Sequence, residues 1–303
     1  MKQFLLSGPP DRDGLVRISG EDFHYLAHVR RLKTGDRFNA RLPGSGDPSV
    51  PGALVTLELR SLGRGVLNAV VTGGKGDPVP GLPPIFLFQA LPKGSKMDLI
   101  VRQAAEGALT GVVPFTAERS IARGGNPGDE GEKSRRWGRI IREALQQSGS
   151  STPTSLHSLL DEDGLFAYWE ELRAAYPSAL GILLHQGAVE SKESGGGEGV
   201  EGIEGTEGIK GAEEIGGAEV SPLFPLVKAS LHRYLSIAPG VVVLAVGPEG
   251  GFSPAEVLRF MAAGFRPFTI GNTVLRTETA ALYGAAAVRV ILLERGSWIQ
   301  KPR

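Results

Sequence analysis

A glycine-rich segment near the end of the chain has the composition of a ligand-binding turn. Residues 247–251 read Gly-Pro-Glu-Gly-Gly and directly follow the apolar run 241–246. The next residues favour a helix start, because Ser253 is a natural N-cap, Pro254 a natural first helical residue and Glu256 the partner that closes a capping box. This order predicts a turn at the carboxyl end of a strand, where parallel α/β sheets bind ligands. A tight turn without a ligand fits the pattern equally well.

A second segment, residues 270–280, reads Ile-Gly-Asn-Thr-Val-Leu-Arg-Thr-Glu-Thr-Ala and also leads from a predicted strand into a predicted helix. It places Arg276 and Glu278 among hydroxyl groups at the helix start, where a carboxylate is favoured by the helix dipole. An ordinary helix cap is the competing interpretation. Two glycine-bearing strand ends in one part of the chain predict a shared pocket.

The residue types of the first segment exclude several common sites. No Gly-Lys-Ser/Thr follows, so it is not a phosphate loop, and it does not fit Gly-x-Gly-x-x-Gly, so it is not a dinucleotide fingerprint. The Glu249 carboxylate would repel a pyrophosphate, whereas a positively charged sulfonium cofactor is compatible with it.

The composition of the whole chain excludes further kinds of site. The chain has no cysteine, which excludes disulfides and thiolate chemistry. No sequence cluster of acidic residues and histidine predicts a metal site.

Strands alternate with helices after residue 81, which predicts a parallel α/β sheet. The predicted strands are 85–90, 112–115, 179–184, 241–246 and 268–270. The predicted helices are 95–108, which Ser95 and Asp98 open with a capping box, 133–147, 156–175, 254–263 and 278–294.

The first eighty residues predict a separate β unit. Short runs with β patterning lie at 14–18, 36–40, 53–59 and 65–71, with one helix at 21–31 and a proline-rich linker at 77–84. Many short strands with one helix favour a small barrel. The predicted domains are therefore residues 1–80 and residues 81–303.

The zero net charge conceals an acidic insert in a basic body. Residues 187–220 contain nine Glu and two Lys, a local charge of −7, which leaves +7 on the remainder. This glycine-rich segment cannot bury enough apolar surface to offset its ordering entropy, so we predict a disordered loop within the α/β domain. The basic remainder suits a polyanionic partner.

The beginning of the chain turns polar and proline-rich within a few residues, unlike a signal peptide. No apolar run approaches the roughly 18 residues that span a bilayer. We therefore expect a soluble cytoplasmic protein without a membrane partner.

The two glycine segments also carry a family resemblance. Gly-Pro-Glu-Gly-Gly-Phe-Ser followed by Leu-Arg-Thr-Glu-Thr-Ala resembles the bacterial 16S ribosomal RNA uracil-N3 methyltransferases of the SPOUT superfamily. The residues at 24–36, 91–97, 113–120 and 136–140 match as well, so the resemblance covers nearly the whole chain apart from the acidic insert. It implies an N-terminal PUA-like barrel, a C-terminal SPOUT domain with a trefoil knot, and a homodimer.

The resemblance also implies a reaction, methyl transfer from S-adenosylmethionine to N3 of uracil 1498 in small-subunit ribosomal RNA, free or in the 30S particle. The implied S-adenosylmethionine contacts are Leu91, His185, Gly247, Pro248, Glu249, Gly250, Gly251, Ile270, Gly271, Leu275, Arg276 and Thr277. We expect Glu278 to accept the N3 proton and Arg276 to stabilise negative charge on the base. The candidate RNA-binding residues are Arg30, Arg31, Lys33, Arg119 and Arg136.

Several positions depart from the family pattern, namely Gln3, Gln103, Ala108, Gln146 and Ser150. These departures lie outside the two glycine segments and concern the expected RNA contacts.

Two alternative functions stay open at this point. One is a ribose 2′-O-methyltransferase of the same superfamily, although the Asn-x-x-x-x-x-Arg helix opening expected after Leu91 is not seen. The other is a non-catalytic RNA-binding assembly factor.

Overall fold

The computed structural model describes residues 2–44, 52–75, 81–120, 127–185, 231–271 and 273–298. The acidic segment predicted at 187–220 lies outside the described residues.

The N-terminal part is a five-stranded sheet in the order β1-β3-β4-β5-β2, antiparallel except between β1 and β3. Its strands are β1 (Phe4–Leu5), β2 (Leu15–Ser19), β3 (Arg37–Arg41), β4 (Leu54–Gly63) and β5 (Val66–Lys75). Helix α1 (Gly20–His24) continues into a π-helix at Tyr25–Val29. Alternate strand residues such as Val16 and Ile18 point into a separate apolar core, as the period of two in a half-buried strand requires.

The C-terminal part is a six-stranded, wholly parallel sheet in the order β11-β9-β10-β6-β7-β8. Its strands are β6 (Ile85–Ala90), β7 (Gly111–Phe115), β8 (Ser155–Leu156), β9 (Ala179–Leu184), β10 (Val241–Val246) and β11 (Arg266–Phe268). The helices are α2 (Lys96–Glu106), α3 (Pro127–Ser148), α4 (Glu162–Ala175), α5 (Leu231–Leu235), α6 (Pro254–Ala262) and α7 (Thr277–Trp298). None of the helices in these described ranges is long and apolar enough to cross a bilayer. The predicted α/β class is confirmed.

The central strands β6 and β10 are buried along their whole length, because helices cover both faces of a parallel sheet. The continuous apolar runs at 85–90, 179–184 and 241–246 therefore predicted their strands at the observed bounds. Strand β11 begins two residues earlier than predicted. The trefoil knot stays a prediction.

Helices α3 and α4 begin away from their predicted starts, and the predicted cap of α2 does not form. Helix α3 begins at Pro127 instead of residue 133. Helix α4 begins at Glu162 instead of residue 156, because Asp161 is its N-cap and accepts a hydrogen bond from the Gly164 amide. The capping box predicted at Ser95 is wrong, since the Ser95 side chain makes no capping hydrogen bond. The Asp98 carboxylate instead accepts hydrogen bonds from Arg136 and Trp137 of α3.

Three of the departures from the family pattern lie where strand β1 meets the end of α3. Gln3 is 1% exposed, and its Nε2 donates to the carbonyls of Leu145 at 2.9 Å and Ser150 at 2.8 Å. Its Oε1 accepts a 2.8 Å hydrogen bond from Nε of Arg41. The carbonyl of Gln146 accepts hydrogen bonds from the amides of both residues 2 and 3. Gln3 is therefore part of the buried packing between β1 and the end of α3.

Ala108 has a backbone conformation that predicts a stabilising substitution. Its φ is +55°, in the left-handed region that glycine adopts without strain. A residue with a side chain pays about 1–2 kcal/mol of strain in this region. Glycine removes that strain, but its greater freedom in the unfolded chain cancels part of the gain in stability. We expect Ala108→Gly to raise the free energy of unfolding by about 0.5–1 kcal/mol, measured by urea denaturation. Ala167→Gly, on the exposed face of helix α4, is the control and should lose about 1 kcal/mol. A loss at both positions would contradict the prediction.

Candidate active site

The carboxyl ends of strands β9, β10 and β11 open onto a cavity of about 340 Å³. Its wall comes from the end of β9, from the glycine segment after β10 and from the segment that joins β11 to α7. The two glycine-bearing segments therefore do share one pocket, at the edge of the sheet where a parallel α/β fold places its ligands.

The glycine segment 247–251 is a tight turn held from both sides. The Gly251 amide donates to the Pro248 carbonyl at 2.9 Å, and Gly251 has a φ of +66°. A Cβ at Gly250 would lie 3.2 Å from Cβ of Arg119, closer than most side-chain contacts, so the turn also needs glycine for space. The conformations and the close approach together explain why these positions are glycine.

The predicted capping box after this turn is confirmed. The Ser253 hydroxyl accepts from the Glu256 amide at 3.3 Å, and the Glu256 carboxylate accepts from the Ser253 amide at 2.7 Å. Glu256 is 3% exposed, and its other oxygen accepts a 2.8 Å hydrogen bond from the Glu118 amide. One carboxylate therefore fixes the start of α6 and ties it to the segment after β7.

A buried hydrogen-bond chain connects the two glycine segments. The Thr277 hydroxyl donates to the Gly247 carbonyl at 2.7 Å and accepts from Nε2 of Gln89 at 3.0 Å. Gln89, at the end of β6, is fully buried, and Nε2 also donates to the Ala90 carbonyl at 2.8 Å. The chain joins strands β6 and β10 to the first residue of α7. Sequence reasoning missed Gln89, although a single amide in an otherwise apolar strand was a usable signal.

The structure brings most of the predicted cofactor contacts together. Those that line the cavity are His185, Gly247, Pro248, Glu249, Gly250, Gly251, Ile270, Leu275 and Thr277. Three others do not line it in this conformation, namely Leu91, Gly271 and Arg276. The Leu91 amide donates to the Phe115 carbonyl at 2.8 Å, while Arg276 is exposed at the start of α7. Arg119 and Phe252 contribute to the wall without having been predicted there.

His185 joins the ends of β9 and β11. Its amide donates to the Phe268 carbonyl at 3.2 Å, and its carbonyl accepts from the Thr269 hydroxyl at 3.0 Å. Burial lowers the pKa of the imidazole below its usual value, because the charged form is poorly solvated there. The cavity wall therefore presents a neutral imidazole at neutral pH.

A lysine connects the two acidic residues of the site. Nζ of Lys96 lies 2.7 Å from Oε1 of Glu249 and 3.5 Å from Oε2 of Glu278. The Lys93 amide donates to both oxygens of Glu249, at 3.1 and 3.2 Å. We call Lys96, Glu249 and Glu278 the charge triad. Sequence reasoning treated Lys96 only as part of a helix start and missed this contact.

The charge triad shifts the pKa of two of its members. Burial acts to raise the pKa of Glu249, but hydrogen bonds from Lys96 and the main chain outweigh it and hold that pKa below its usual value. The hydrogen bond to Glu249 raises the pKa of Lys96 against the opposing effect of burial. Both groups are therefore charged at neutral pH.

The predicted RNA-binding residues have different surroundings. Nη1 of Arg119 donates to the Gly250 carbonyl at 3.0 Å, so this guanidinium supports the glycine turn. Arg136 pairs with Asp98, although its side chain is 57% exposed. Arg31 and Lys33 are exposed beyond the π-helix, and Arg30 beside them is half-buried.

Within the described ranges, no group of three or more His, Cys, Asp or Glu side chains could hold a metal ion. The arrangement supports a reaction that uses main-chain hydrogen bonds, carboxylates and a cation around a pocket.

Comparisons with known proteins agree with this geometry. The family model of the RNA methyltransferase domain matches residues 80–213 and 224–289, and that of the RNA methyltransferase PUA domain matches residues 18–47. The chain is 28% identical to the ribosomal RNA small subunit methyltransferase E of Mycobacterium tuberculosis, over 95% of this chain and 91% of the relative. It is 23% identical to the Bacillus subtilis protein of that name, over 89% and 88%.

Among solved structures, the ribosomal RNA small subunit methyltransferase E of Neisseria gonorrhoeae bound to S-adenosyl methionine superposes with a TM-score of 0.70. The two share 21% identity over 96% of this chain and 98% of the other, which shows a common fold. Because the first family model covers more than half of the chain, this protein belongs to the RNA methyltransferase domain family.

Proposed function

We propose that the protein transfers a methyl group from S-adenosylmethionine to N3 of uracil 1498 in small-subunit ribosomal RNA. The observation that carries the proposal is the cavity in which the two glycine segments meet, with the Glu249 carboxylate in its wall. The names of the relatives and the S-adenosyl methionine bound to the Neisseria structure support it. A ribosomal RNA substrate implies a cytoplasmic enzyme.

The residues of the cavity fit such a methyl donor. A sulfonium ion with an α-amino group is positively charged, and the Glu249 carboxylate in the cavity wall can pair with that charge. A Cβ at Gly247 would crowd Phe252 and one at Gly250 would crowd Arg119, so glycine lets the turn approach both residues closely. S-adenosylmethionine, when bound, supplies an electrophilic methyl group. We assign its binding to the cavity-lining residues, with Leu91, Gly271 and Arg276 as contacts still implied by the resemblance.

The protein's own part in the reaction is to handle a proton and a developing charge. The proton on N3 of uracil must leave as the new N–CH₃ bond forms, and we assign its acceptance to Glu278. One oxygen of this carboxylate is buried and accepts no hydrogen bond from the part of the chain that the structure describes, although Nζ of Lys96 lies 3.5 Å away. Arg276, exposed at the start of α7, is free to approach the base oxygens and stabilise their negative charge.

RNA recognition follows from where N3 lies. It is on the Watson–Crick edge, so the target uridine must be unpaired or extruded from its stack. We assign phosphate contacts to Arg30, Arg31 and Lys33 of the N-terminal unit, and to Arg136 on α3.

The proposed product distinguishes this activity from its alternatives. Small-subunit RNA from cells with and without the protein should differ by one methylated uridine in nucleoside mass spectrometry. Methylation on N3 blocks base pairing and therefore stops reverse transcription. A methyl group on the ribose would instead protect the adjacent phosphodiester from alkali, and would establish the 2′-O alternative. Calorimetry that detects no binding of S-adenosylmethionine would favour the non-catalytic assembly factor.

We also propose a homodimer, with helices α2 and α7 at its interface. An apolar groove of about 230 Å³ runs between these helices, and exposed apolar side chains lie along it. Leu282, Val290 and Leu293 are 38%, 49% and 50% exposed. The proposed partner is a second copy, because the resemblance implies a homodimer, with the knot region as its interface, and the exposed apolar side chains along the groove suit such a contact.

The dimer predicts a specific mutational effect. The wild-type chain should sediment as twice its 32.0 kDa mass. Val290→Glu should sediment as a monomer, because a buried carboxylate without a partner disfavours association by several kcal/mol. Leu62→Glu, at an exposed position of the N-terminal unit, is the control. A Val290→Glu protein that remains dimeric would refute the proposed interface.

A further inference from the structure

We propose that Lys96 is a positioning residue, which holds the Glu249 carboxylate in the cavity wall and links it to Glu278 at the start of α7. This inference rests on the proposed function, since it assigns Lys96 a part in methyl-donor binding. Lys96 and Glu249 are 153 positions apart in the chain, so no local sequence pattern indicates their contact.

The geometry gives Lys96 the central place in the charge triad. It lies at the first turn of α2, whereas Glu249 belongs to the turn after β10 and Glu278 to the first turn of α7. Lys96 is the cation whose ion pairs reach both acids. Without it, the two carboxylates, which both lie within 3.5 Å of Nζ of Lys96, would repel each other.

The Glu249 carboxylate has a second support that makes the inference testable. The Lys93 amide donates to both of its oxygens, so the orientation of this carboxylate depends on the segment before α2 as well as on Lys96. The other charged groups around it are Glu278 from α7 and Arg119, which contacts the neighbouring Gly250 carbonyl. Lys96 therefore supplies the nearest positive charge, at 2.7 Å.

The consequence for pH dependence has a definite sign. In the wild type, hydrogen bonds from Lys96 and the main chain hold the pKa of Glu249 below its usual value, against burial. Removing the ammonium takes away one of the contacts that lower the pKa of Glu249, while burial still acts to raise it. The pKa of Glu249 should therefore rise. The carboxylate then takes up its proton at a higher pH, and binding of a cationic donor should begin to weaken at a higher pH as well.

The test uses Lys96→Met in the full-length protein without a ligand. Selective ¹⁵N-lysine labelling makes the Lys93 amide visible by NMR, and its shift reports the ionisation of the carboxylate it contacts. We expect its titration midpoint to move to higher pH in Lys96→Met and to return toward the wild-type value in Lys96→Arg. Arg102→Met, which removes an exposed cation from the same helix, should leave the midpoint unchanged. An unchanged midpoint in Lys96→Met would overturn the proposal.

Calorimetry with S-adenosylmethionine separates this inference from the proposed function. Lys96→Met should bind the donor about tenfold more weakly than Arg102→Met at neutral pH, the effect of one charge-assisted hydrogen bond. A wild-type protein that binds no donor contradicts the proposed function, whatever the NMR titration shows. A wild type that binds and a Lys96→Met protein that binds equally well contradict the role of Lys96 alone.

Discussion

Replacing Glu278 by Gln is expected to lower kcat for methyl transfer by at least about 100-fold, the usual contribution of a positioned general base. The amide keeps the shape of the side chain but cannot accept the N3 proton as a carboxylate does. Donor affinity should change much less than kcat, because Glu249 and the glycine turn remain in place. The measurement is single-turnover methylation of small-subunit RNA, together with calorimetry of donor binding.

The control for this change is Glu106→Gln, which neutralises an exposed carboxylate at the end of helix α2. It should methylate at the wild-type rate. Near-normal turnover of Glu278→Gln at saturating substrate would show that another group, or water, accepts the proton. A loss confined to donor affinity would place Glu278 in cofactor binding only.

The local sequence predicted those parts of the site that are formed by residues adjacent in the chain. Residues 241–256 encode a buried strand, a glycine turn and a capped helix in one continuous stretch, and each of these features was found where its residues lie. The meeting of the two glycine segments also followed, since the carboxyl ends of parallel strands share one edge of a sheet. The α/β fold class was predicted from the alternation of strands and helices along the chain.

Contacts between distant residues were not predictable in this way. Gln89 bonds to Thr277 and Lys96 to Glu249 across 188 and 153 residues, and no local pattern indicates which buried amide meets which hydroxyl. Arg119 shows the same limit, because a sequence shows that an arginine is charged but not that its guanidinium supports a turn.

The capping box predicted at Ser95 does not form, for a related reason. Its spacing from Asp98 fits a capping box, but the indole and guanidinium groups of α3 compete for the Asp98 carboxylate. The tertiary contact replaces the local one, as it can wherever a capping side chain lies against another helix.

Replacing Thr277 by Val should weaken donor binding by about 10- to 100-fold. Valine has nearly the shape of threonine but cannot donate to the Gly247 carbonyl or accept from Nε2 of Gln89. A buried polar group left without its partner costs about 1–3 kcal/mol, and each 1.4 kcal/mol is a factor of ten in affinity. The unpaired groups regain hydrogen bonds to water if the glycine turn 247–251 moves away from the start of α7. The cavity wall would then be disordered in the ligand-free protein, and donor binding would have to order it again.

Two further variants separate this effect from a general loss of stability. Thr277→Ser keeps the hydroxyl and should restore most of the affinity, whereas Thr56→Val, on strand β4 of the N-terminal unit, should leave affinity unchanged. Calorimetry at a temperature where all variants are folded is the measurement. Wild-type affinity in Thr277→Val would mean that the two glycine segments hold their positions without this hydroxyl. The shape of the cavity would then depend on the pairing of β6 with β10 and on the packing of α7 against these strands.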